Sequence, residues 1–323
     1  MITTRNQGID QLKLVLALMV VAIHVFRSDY AGVQGVVYYW ILNGLPRIAV
    51  PVFFLLSGYF LRGKIDDAIK IWKYILGLWA IFIVWSIIYS FMWLPRALNG
   101  VLPVVKIVQF SIYGYGPLWY LFAQILGVGI AHLTQIWSQK ARFIIAIGLF
   151  SIGYMLWMLD RSGILSSSKL VYAAYEWIGT SRNFLFMAFP FLTLGLIFDY
   201  WKNEINLVFK IISVFFLICE PFIYHFIGLD LADFTIFALL LSMTVFTIFE
   251  SGFHLFSFSF DVNLPLGIYL IHYPIFFTVS YIDKEWLHLA LNGPILYILI
   301  VVLSFIFFVP LNQLNKRTRL LFR

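Results

Sequence analysis

The stretch IDQLKLVLALMVVAIHVF, residues 9–26, decides the fold. Nearly all of its residues are apolar, and as an α-helix they would cover about 27 Å, close to the hydrocarbon thickness of a bilayer. The stretch also carries three ionisable residues, Asp10, Lys13 and His24. Ionisable side chains are costly in hydrocarbon, and a membrane helix that keeps them usually does so for function. The stretch therefore predicts a first membrane span that holds part of a site.

The rest of the chain has the same apolar character. Its 323 residues are 62% hydrophobic and 11% charged, with a mean hydropathy of +0.93, whereas soluble domains are about half apolar and about a quarter charged. Long apolar runs recur along the whole length, which predicts an all-α fold, a polytopic helical membrane bundle of about ten transmembrane helices. Basic loops on one side of the membrane account for most of the net charge of +7, so we expect no nucleic-acid partner.

The apolar runs divide the chain into ten predicted spans within a single membrane domain, residues 1–323. An even number puts both termini on one side, and the loops on that side carry the larger share of Lys and Arg. The positive-inside rule then predicts a multi-pass protein of the cell membrane with both termini in the cytoplasm. Residues 160–182, between spans, are predicted to form an ordered re-entrant or interfacial lid, and residues 97–113 another interfacial segment. The spans are 10–27, 47–63, 72–93, 117–134, 141–159, 183–199, 205–227, 231–249, 264–281 and 291–312.

Spacing places Lys13 and His24 on one face of the first span. They are 11 residues apart, which amounts to three turns within about 20° and to about 16 Å along the axis. Asp10 lies one turn from Lys13 and can neutralise it as an i,i+3 pair. Two interpretations stay open. The three residues form parts of one site, or the charged pair only reaches the interface while His24 bonds a carbonyl of a neighbouring helix.

The second span, RIAVPVFFLLSGYF, has Arg47 at its outer end and Ser57 deep within it. Pro51 is expected to break the backbone ladder there, and freed carbonyls are tolerated only where protein or a cavity satisfies them. Gly58 is predicted to serve helix packing, because small residues let membrane helices approach closely.

The sixth span begins in GTSRNFLFMAFPFLTLG, where Arg182 and Asn183 enter from the outer side. Thr180 and Ser181 are able to cap the helix, and an Arg beside exposed helix N–H groups makes an anion site. The alternative is an interfacial Arg that bonds lipid phosphate.

Two more ionisable residues lie within spans. Glu220, in FLICEPFIYH, needs a basic partner such as Arg47 or Arg182, or else is neutral. His272, in GIYLIHYPIFF, either binds substrate or holds together a helix kinked by Pro274. No spacing of His, Cys, Asp or Glu indicates a metal site.

Four stretches together resemble the acyltransferase 3 family of integral membrane acyltransferases. They are IDQLKLVLALMVVAIH, RIAVPVFFLLSGYF, PLWYLFAQILG and GIYLIHYPIFF, in this order over most of the chain. The first resembles the family's Arg-x10-His signature, met here as Lys13 and His24, and the second its Arg followed by Phe-Phe-x-x-Ser-Gly. With TSRNFLFMAFPFLTLG included, the chain looks most like the membrane domain of the vancomycin-resistance membrane serine racemases.

The resemblance implies an O-acetyltransferase that moves an acyl group, in the first place acetyl, from cytoplasmic acetyl-CoA to a hydroxyl of an extracytoplasmic glycan or small acceptor. His24 would be the general base, and Asp10 is grouped with it as a candidate catalytic residue. Lys13 in place of Arg keeps the charge but loses the bidentate fork, and Pro265 stands where a polar residue is more usual. The candidate CoA-binding residues are Lys13, Arg62 and Lys64, with Arg5 nearby, and the candidate substrate-binding residues are Arg47, Ser57, Trp119, Tyr120, Arg182, Asn183, Glu220 and His272.

Two other hypotheses stay open. In the racemase relatives the membrane half is associated with uptake of L-serine, without CoA chemistry, so that Arg182 would bind the carboxylate of the amino acid and Glu220 its ammonium group. The other hypothesis, an anchor for a missing partner, explains the buried ions poorly. The resemblance also leaves open whether the chain is a stand-alone relative or the membrane half of a protein with a C-terminal racemase domain.

Overall fold

A computed structural model describes residues 6–26, 32–177, 180–229, 234–289, 291, 293–318 and 320–322. The regular structure of these residues is helical, which confirms the all-α prediction. Two π-helical turns, Phe184–Ala188 and Asp283–Leu287, accompany the α-helices. The α-helices are α1 Gln7–Val25, α2 Gly32–Asn43, α3 Ala49–Leu61, α4 Ala68–Leu98, α5 Val104–Tyr113, α6 Trp119–Leu133, α7 Gln139–Arg161, α8 Lys169–Trp177, α9 Phe189–Leu196, α10 Phe198–Trp201, α11 Leu207–Phe226, α12 Ile236–Glu250, α13 Leu264–Ile282 and α14 Gly293–Thr318.

Eight helical segments of the described chain are long and apolar enough to cross a membrane. A ninth candidate is the pair Phe184–Leu196 and Phe198–Glu204, which is bent by 76°. α12 coincides with the predicted span 231–249 but has only 15 residues, fewer than a helix needs to cross the hydrocarbon unaided. Each predicted span thus corresponds to an apolar helix or helix pair, and the polytopic helical bundle is confirmed.

The second predicted span begins earlier than the sequence indicates. The apolar helical segment covers Gly35–Leu61, because α2 continues through a 3-10 turn at Leu45–Ile48 into α3. Pro51 lies in the first turn of α3, where a backbone N–H has no intrahelical acceptor to lose. The expectation that Pro51 breaks the ladder of this span is therefore wrong: the proline helps to begin α3.

The chain divides into two compact units. Of the described residues, the first unit comprises 6–26, 32–53, 202–229, 236–289, 291, 293–318 and 320–322, and within it α1 packs against α2, α12, α13 and α14. The second unit comprises the described residues 54–177, 180–201, 234 and 235. Its packing is formed mainly by α4, α6, α7, α9 and the π-turn that precedes α9.

The described parts of the two segments predicted to be interfacial contain helices that are joined to each other. α5 falls within residues 97–113, and α8 falls within residues 160–182. The Gln109 side chain donates to the Glu176 carbonyl, and the Tyr113 hydroxyl donates to the Trp177 carbonyl, both at 2.8 Å. The last carbonyls of a helix lack intrahelical donors, so α5 supplies partners that the end of α8 needs.

The loop between α12 and α13, residues 251–263, contacts both the start of α1 and the last part of α14. The Gln11 side chain of α1 accepts from the Leu255 and Phe256 N–H groups at 2.6 and 3.2 Å. Asp261 of the loop accepts from the Asn312 side chain of α14 at 2.7 Å. The start of α1 and the end of α14 therefore lie at the same end of this unit. The side of the membrane that this end faces stays a prediction.

α3 and α9 cross in the second unit with their backbones in contact. A Cβ atom at Gly58 would lie 2.0 Å from the Leu192 carbonyl oxygen, and one at Gly195 would lie 2.0 Å from the Leu55 carbonyl oxygen. Only glycine fits at either position, as in other membrane helix pairs with small residues at their contact. The packing role predicted for Gly58 is confirmed.

Glu220 of α11 satisfies the start of α12. Its carboxylate accepts from the Ile236 and Phe237 N–H groups, both at 2.9 Å, and from the Tyr224 hydroxyl. The first N–H groups of a helix lack intrahelical acceptors and carry partial positive charge, so a carboxylate suits them. The described contacts of the Glu220 carboxylate include no Lys or Arg. The sequence predicted that Glu220 either has a basic partner or is neutral. The partners that the structure shows are the start of α12 and Tyr224.

Gly195→Ala should destabilise the folded protein. The added methyl group overlaps the Leu55 carbonyl oxygen, and overpacking of this kind costs about 1–3 kcal/mol. Gly148→Ala on α7 is the matched control, because a Cβ atom there meets nothing within 4 Å and Ala is the better helix former. Thermal unfolding in detergent should show a lower midpoint for Gly195→Ala alone. Equal midpoints for the two variants would contradict the backbone contact.

Glu220→Ala should lower the free energy of unfolding by about 1–3 kcal/mol, because buried N–H donors at the start of α12 lose their acceptor. Glu204→Ala is the control, since Glu204 is exposed in a short 3-10 turn. The measurement is the unfolding midpoint of both variants in detergent. A Glu220→Ala protein as stable as the wild type would show that the cap is dispensable.

Candidate functional site

The ionisable residues of α1 have the arrangement that spacing predicts. α1 is unbroken from Gln7 to Val25, so the predicted separation of Lys13 and His24 on one helix face holds. The Lys13 ammonium lies 3.3 Å from the Asp10 carboxylate, and both side chains are largely withdrawn from solvent. Asp10 is 14 residues from His24, about 21 Å along the axis, so its contact is with Lys13 and not with the His24 ring.

A cleft of about 100 Å³ lies beside this ion pair at the start of α1. Gln7, Asp10 and Gln11 of α1 form one wall, and residues 258–260 of the loop between α12 and α13 form the other. The Gln11 side chain is occupied by the loop backbone, so it fixes this wall. The wall that α1 forms is therefore polar, and the opposite wall is aromatic because it contains Phe258 and Phe260.

His24 belongs to a cluster of rings near the other end of α1. The centroid of its ring lies 5.3 Å from that of His272, with a tilt of 34°, and 5.0 Å from that of Tyr273, which it meets edge-on. Both partners come from α13, which packs along α1. His272 is 0% exposed, and its Nδ1 atom lies 3.1 Å from the Ile268 carbonyl oxygen. The structure thus brings together two histidines that sequence reasoning had kept apart.

Arg47, also in the first unit, holds the turn between α2 and α3. It lies in the 3-10 turn Leu45–Ile48, and its Nε atom donates to the Leu42 carbonyl at 2.5 Å. Its side chain is half-buried. This contact closes the end of α2, whose last carbonyls have no intrahelical donors.

The second unit contains an aromatic cavity beside Arg182. The Arg182 guanidinium lies 5.2 Å from the centroid of the Trp119 ring, within range of a cation–π interaction. A small cavity of about 40 Å³ opens here. A cavity with aromatic walls and one cation suits a ligand with an apolar face and an anionic or strongly polar group. Its lining residues are Tyr113, Trp119, Phe122, Ala123, Arg182, Asn183 and Phe184.

The local sequence positions Arg182 through an unusual helix start. Asn183 is the cap, because its side-chain oxygen accepts from the Leu185 and Phe186 N–H groups at 2.8 and 3.0 Å. The capping role expected of Thr180 and Ser181 is therefore wrong: the Ser181 hydroxyl lies 2.9 Å from the Tyr175 hydroxyl instead. Thr180 has φ +66°, a left-handed conformation that is strained for a β-branched residue.

A buried polar cluster surrounds Ser57 in the second unit. The Gln124 amide donates to the Ser57 hydroxyl at 3.0 Å and to the Tyr74 hydroxyl at 2.6 Å. Ser57 also interacts with the hydroxyl of Tyr120, whose ring packs 4.5 Å from that of Phe54. Sequence reasoning named Ser57 and Tyr120 but missed Tyr74 and Gln124. Gln124 could have been found, since it lies inside the motif PLWYLFAQILG.

The remaining predicted CoA-binding residues lie at the turn after α3. Arg62 pairs with Asp199 at 2.7 Å, and its guanidinium lies 3.9 Å from the Tyr59 ring centroid. Lys64 is exposed in the same turn. Arg5 lies outside the described residues. Arg62 thus already has a carboxylate partner, whereas Lys64 faces solvent.

The predicted site residues fall into separate groups. The first unit joins Asp10 with Lys13 and His24 with His272, while the second joins Trp119 with Arg182 and Asn183, and Ser57 with Tyr120. In the part of the chain that the structure describes, no three His, Cys, Asp or Glu side chains lie together as a metal site would need. The roles predicted for these residues stay predictions.

Comparison with known proteins agrees with the four motifs. The chain matches the acyltransferase 3 model, described as an acyltransferase domain, over residues 6–312. It is 24% identical to an amino-acid racemase of Enterococcus faecalis, over 98% of this chain and 47% of the relative. It is 26% identical to a serine/alanine racemase of Enterococcus gallinarum, over 93% of this chain and 45% of the relative. The chain thus spans about half the length of these curated relatives.

No solved structure matches the chain. The family match covers nearly all of the described helices, including α1 with Lys13 and His24 and α13 with His272. The resemblance read from the sequence is therefore confirmed, and so is its likeness to the racemases of Enterococcus. The chain is a multi-pass membrane protein that belongs to the acyltransferase 3 family.

Proposed function

We propose that the protein is a membrane O-acyltransferase in which His24 is the general base. The observation that carries the proposal is the layout of α1, which has a Lys13–Asp10 ion pair near its start and an imidazole cluster near its end. Ionisable groups kept within a membrane helix call for a functional reason. Membership of an acyltransferase family supplies that reason, because acyl transfer to a hydroxyl needs a base.

The proposed step is attack of an acceptor hydroxyl on the thioester of an acyl-CoA. His24 takes the hydroxyl proton as the oxygen bonds to the acyl carbonyl carbon. The tetrahedral intermediate then collapses, the C–S bond breaks, and the CoA thiolate takes the proton from the His24 imidazolium. The products are the acyl ester and free CoA, and His24 is neutral again.

The donor is proposed to be acetyl-CoA, with its phosphates at the start of α1. Lys13 supplies a positive charge there, and the cleft beside Asp10 gives space for part of the donor. Lys64 is exposed and could add charge at long range, whereas Arg62 is already paired with Asp199. This assignment places the start of α1 on the cytoplasmic side, with both termini, in the cell membrane.

The acceptor is proposed to be an extracytoplasmic glycan or a small hydroxyl compound. Aromatic rings suit the apolar faces of sugars, and the Trp119 and Arg182 cavity offers such rings with one cation. The hydroxyl groups of Ser57 and Tyr120 add polar partners within the same unit. The Arg47 and Asn183 side chains bond backbone groups at a helix turn and a helix start. Arg182 is therefore the side chain best suited to contact the acceptor.

A second candidate function is handling of L-serine by the membrane domain. The names of the relatives, amino-acid racemase and serine/alanine racemase, favour it. A racemase domain would then be a partner of this membrane domain. Arg182 could bind the carboxylate of serine, but the Glu220 carboxylate already accepts from a helix start and from Tyr224. The ammonium site that this hypothesis needs is therefore weakly supported.

His24→Ala should abolish acyl transfer by the purified protein. Loss of a general base lowers turnover about 10²- to 10⁴-fold, and release of CoA from acetyl-CoA in the presence of an acceptor measures it. His254→Ala is the matched control, because His254 is exposed in the loop after α12. Turnover that survives His24→Ala would refute the proposal. Serine accumulation in proteoliposomes that survives this change, without binding of acetyl-CoA, would favour the second candidate.

Lys13→Ala should raise the KM for acetyl-CoA with little change in kcat. A lost charged contact to phosphate is worth about 1.5–3 kcal/mol, or roughly 10- to 100-fold in KM. Lys13→Arg should keep the wild-type KM or lower it, because the guanidinium restores the bidentate fork. Lys284→Ala is the control, as its side chain is 83% exposed. An unchanged KM in Lys13→Ala would exclude Lys13 from donor binding.

A further inference from the structure

His272 has one ring nitrogen that its structural contacts leave without a partner. The ring is 0% exposed, and its Nδ1 atom contacts the Ile268 carbonyl oxygen one turn earlier in α13. A carbonyl oxygen only accepts, so Nδ1 carries the hydrogen, and Nε2 of the neutral ring is then an acceptor. Nε2 is buried and has no hydrogen-bond partner among the described residues. The contact within α13 therefore gives Nδ1 a hydrogen-bond partner but gives none to Nε2.

The titratable rings around His272 come from two helices. Tyr269 and Tyr273 of α13 lie with their ring centroids 6.1 Å away, and His24 of α1 lies at 5.3 Å. An in-line N–H···N bond of about 3.0 Å between two imidazoles puts their centroids about 5.3 Å apart, because each nitrogen lies about 1.2 Å from its centroid. The centroids of the His24 and His272 rings, 5.3 Å apart, are therefore close enough for such a bond, although Nε2 of His272 accepts none among the described residues. Catalytic hydrogen bonds often align only when substrate binds.

We propose that His272 is the positioning residue for His24: its buried Nε2 atom accepts a hydrogen bond from one ring nitrogen of His24 and leaves the other nitrogen aimed at the acceptor hydroxyl. This inference rests on the proposed function of His24. A fixed tautomer keeps the basic lone pair pointed at the substrate. When His24 takes the acceptor proton, its ring becomes a cation with two N–H donors, and the bond to His272 becomes charge-assisted.

Two substitutions separate this role from a structural one. His272→Asn places an amide near Nδ1, so it can still donate to the Ile268 carbonyl, but it has nothing at the position of Nε2. His272→Gln reaches the position of Nε2 with an amide acceptor, and it gives up the short contact to Ile268. If His272 positions His24, the Gln variant keeps activity and the Asn variant loses it. If His272 only supports α13, the order is reversed.

The experiment measures kcat and KM for acetyl-CoA with both variants in detergent. We expect His272→Asn to lower kcat about 10- to 100-fold at unchanged KM, and His272→Gln to stay within a few-fold of the wild type. The Asn change should add nothing in a His24→Ala background, because His272 acts through His24. Equal losses in the two variants, a larger loss in Gln, or an additive loss in the double variant would overturn the inference.

The wild-type protein provides a second measurement should either variant fail to fold. In protein labelled with ¹⁵N-histidine and saturated with acetyl-CoA, the nitrogen chemical shifts of His24 should report one fixed neutral tautomer. Averaging between tautomers would overturn the inference. The proposed function itself fails only if His24→Ala keeps its turnover, so the two failures are distinguishable.

Discussion

Every polar group that enters the hydrocarbon must find its partner within the protein, since no water is there to supply one. This constraint explains the arrangement of the buried ions and amides. Lys13 neutralises Asp10 on the same helix, and the Glu220 carboxylate takes the N–H groups at the start of α12. The Gln124 amide donates hydrogen bonds to two hydroxyl groups. Nε2 of His272 is one of several buried polar atoms that depart from this pattern, because it has no hydrogen-bond partner in the described chain.

The fold was largely predictable because the bilayer imposes a length and a composition on each span. Apolar runs located the ten predicted spans but not α2, and an i,i+3 spacing predicted the Lys13–Asp10 pair. The start of the second span and the bend after α9 were not predictable. They depend on a 3-10 turn and on a 76° break, which apolar composition does not encode. Pro51 was misread because its effect depends on whether it falls in the first turn of a helix or in its interior.

The site was only partly predictable because its contacts join distant parts of the chain. Motifs supplied His24 and His272 separately, but their proximity depends on how α1 packs against α13, 248 residues later. The partner of Glu220 was also unpredictable. It is the start of another helix, which a search for basic side chains does not find. The backbone near Arg182 is irregular: Thr180 has a left-handed conformation, and the span begins with a π-helical turn. Such irregular backbone is common at functional sites.

The contact between α3 and α9 has a mechanical consequence for the second unit. Gly58 and Gly195 bring the two backbones so close that neither helix can slide along the other. Ser57 is the residue next to Gly58, and the turn that carries Arg182 leads directly into α9. A side chain at Gly58 or Gly195 would therefore push apart the helix that carries Ser57 and the helix that follows Arg182.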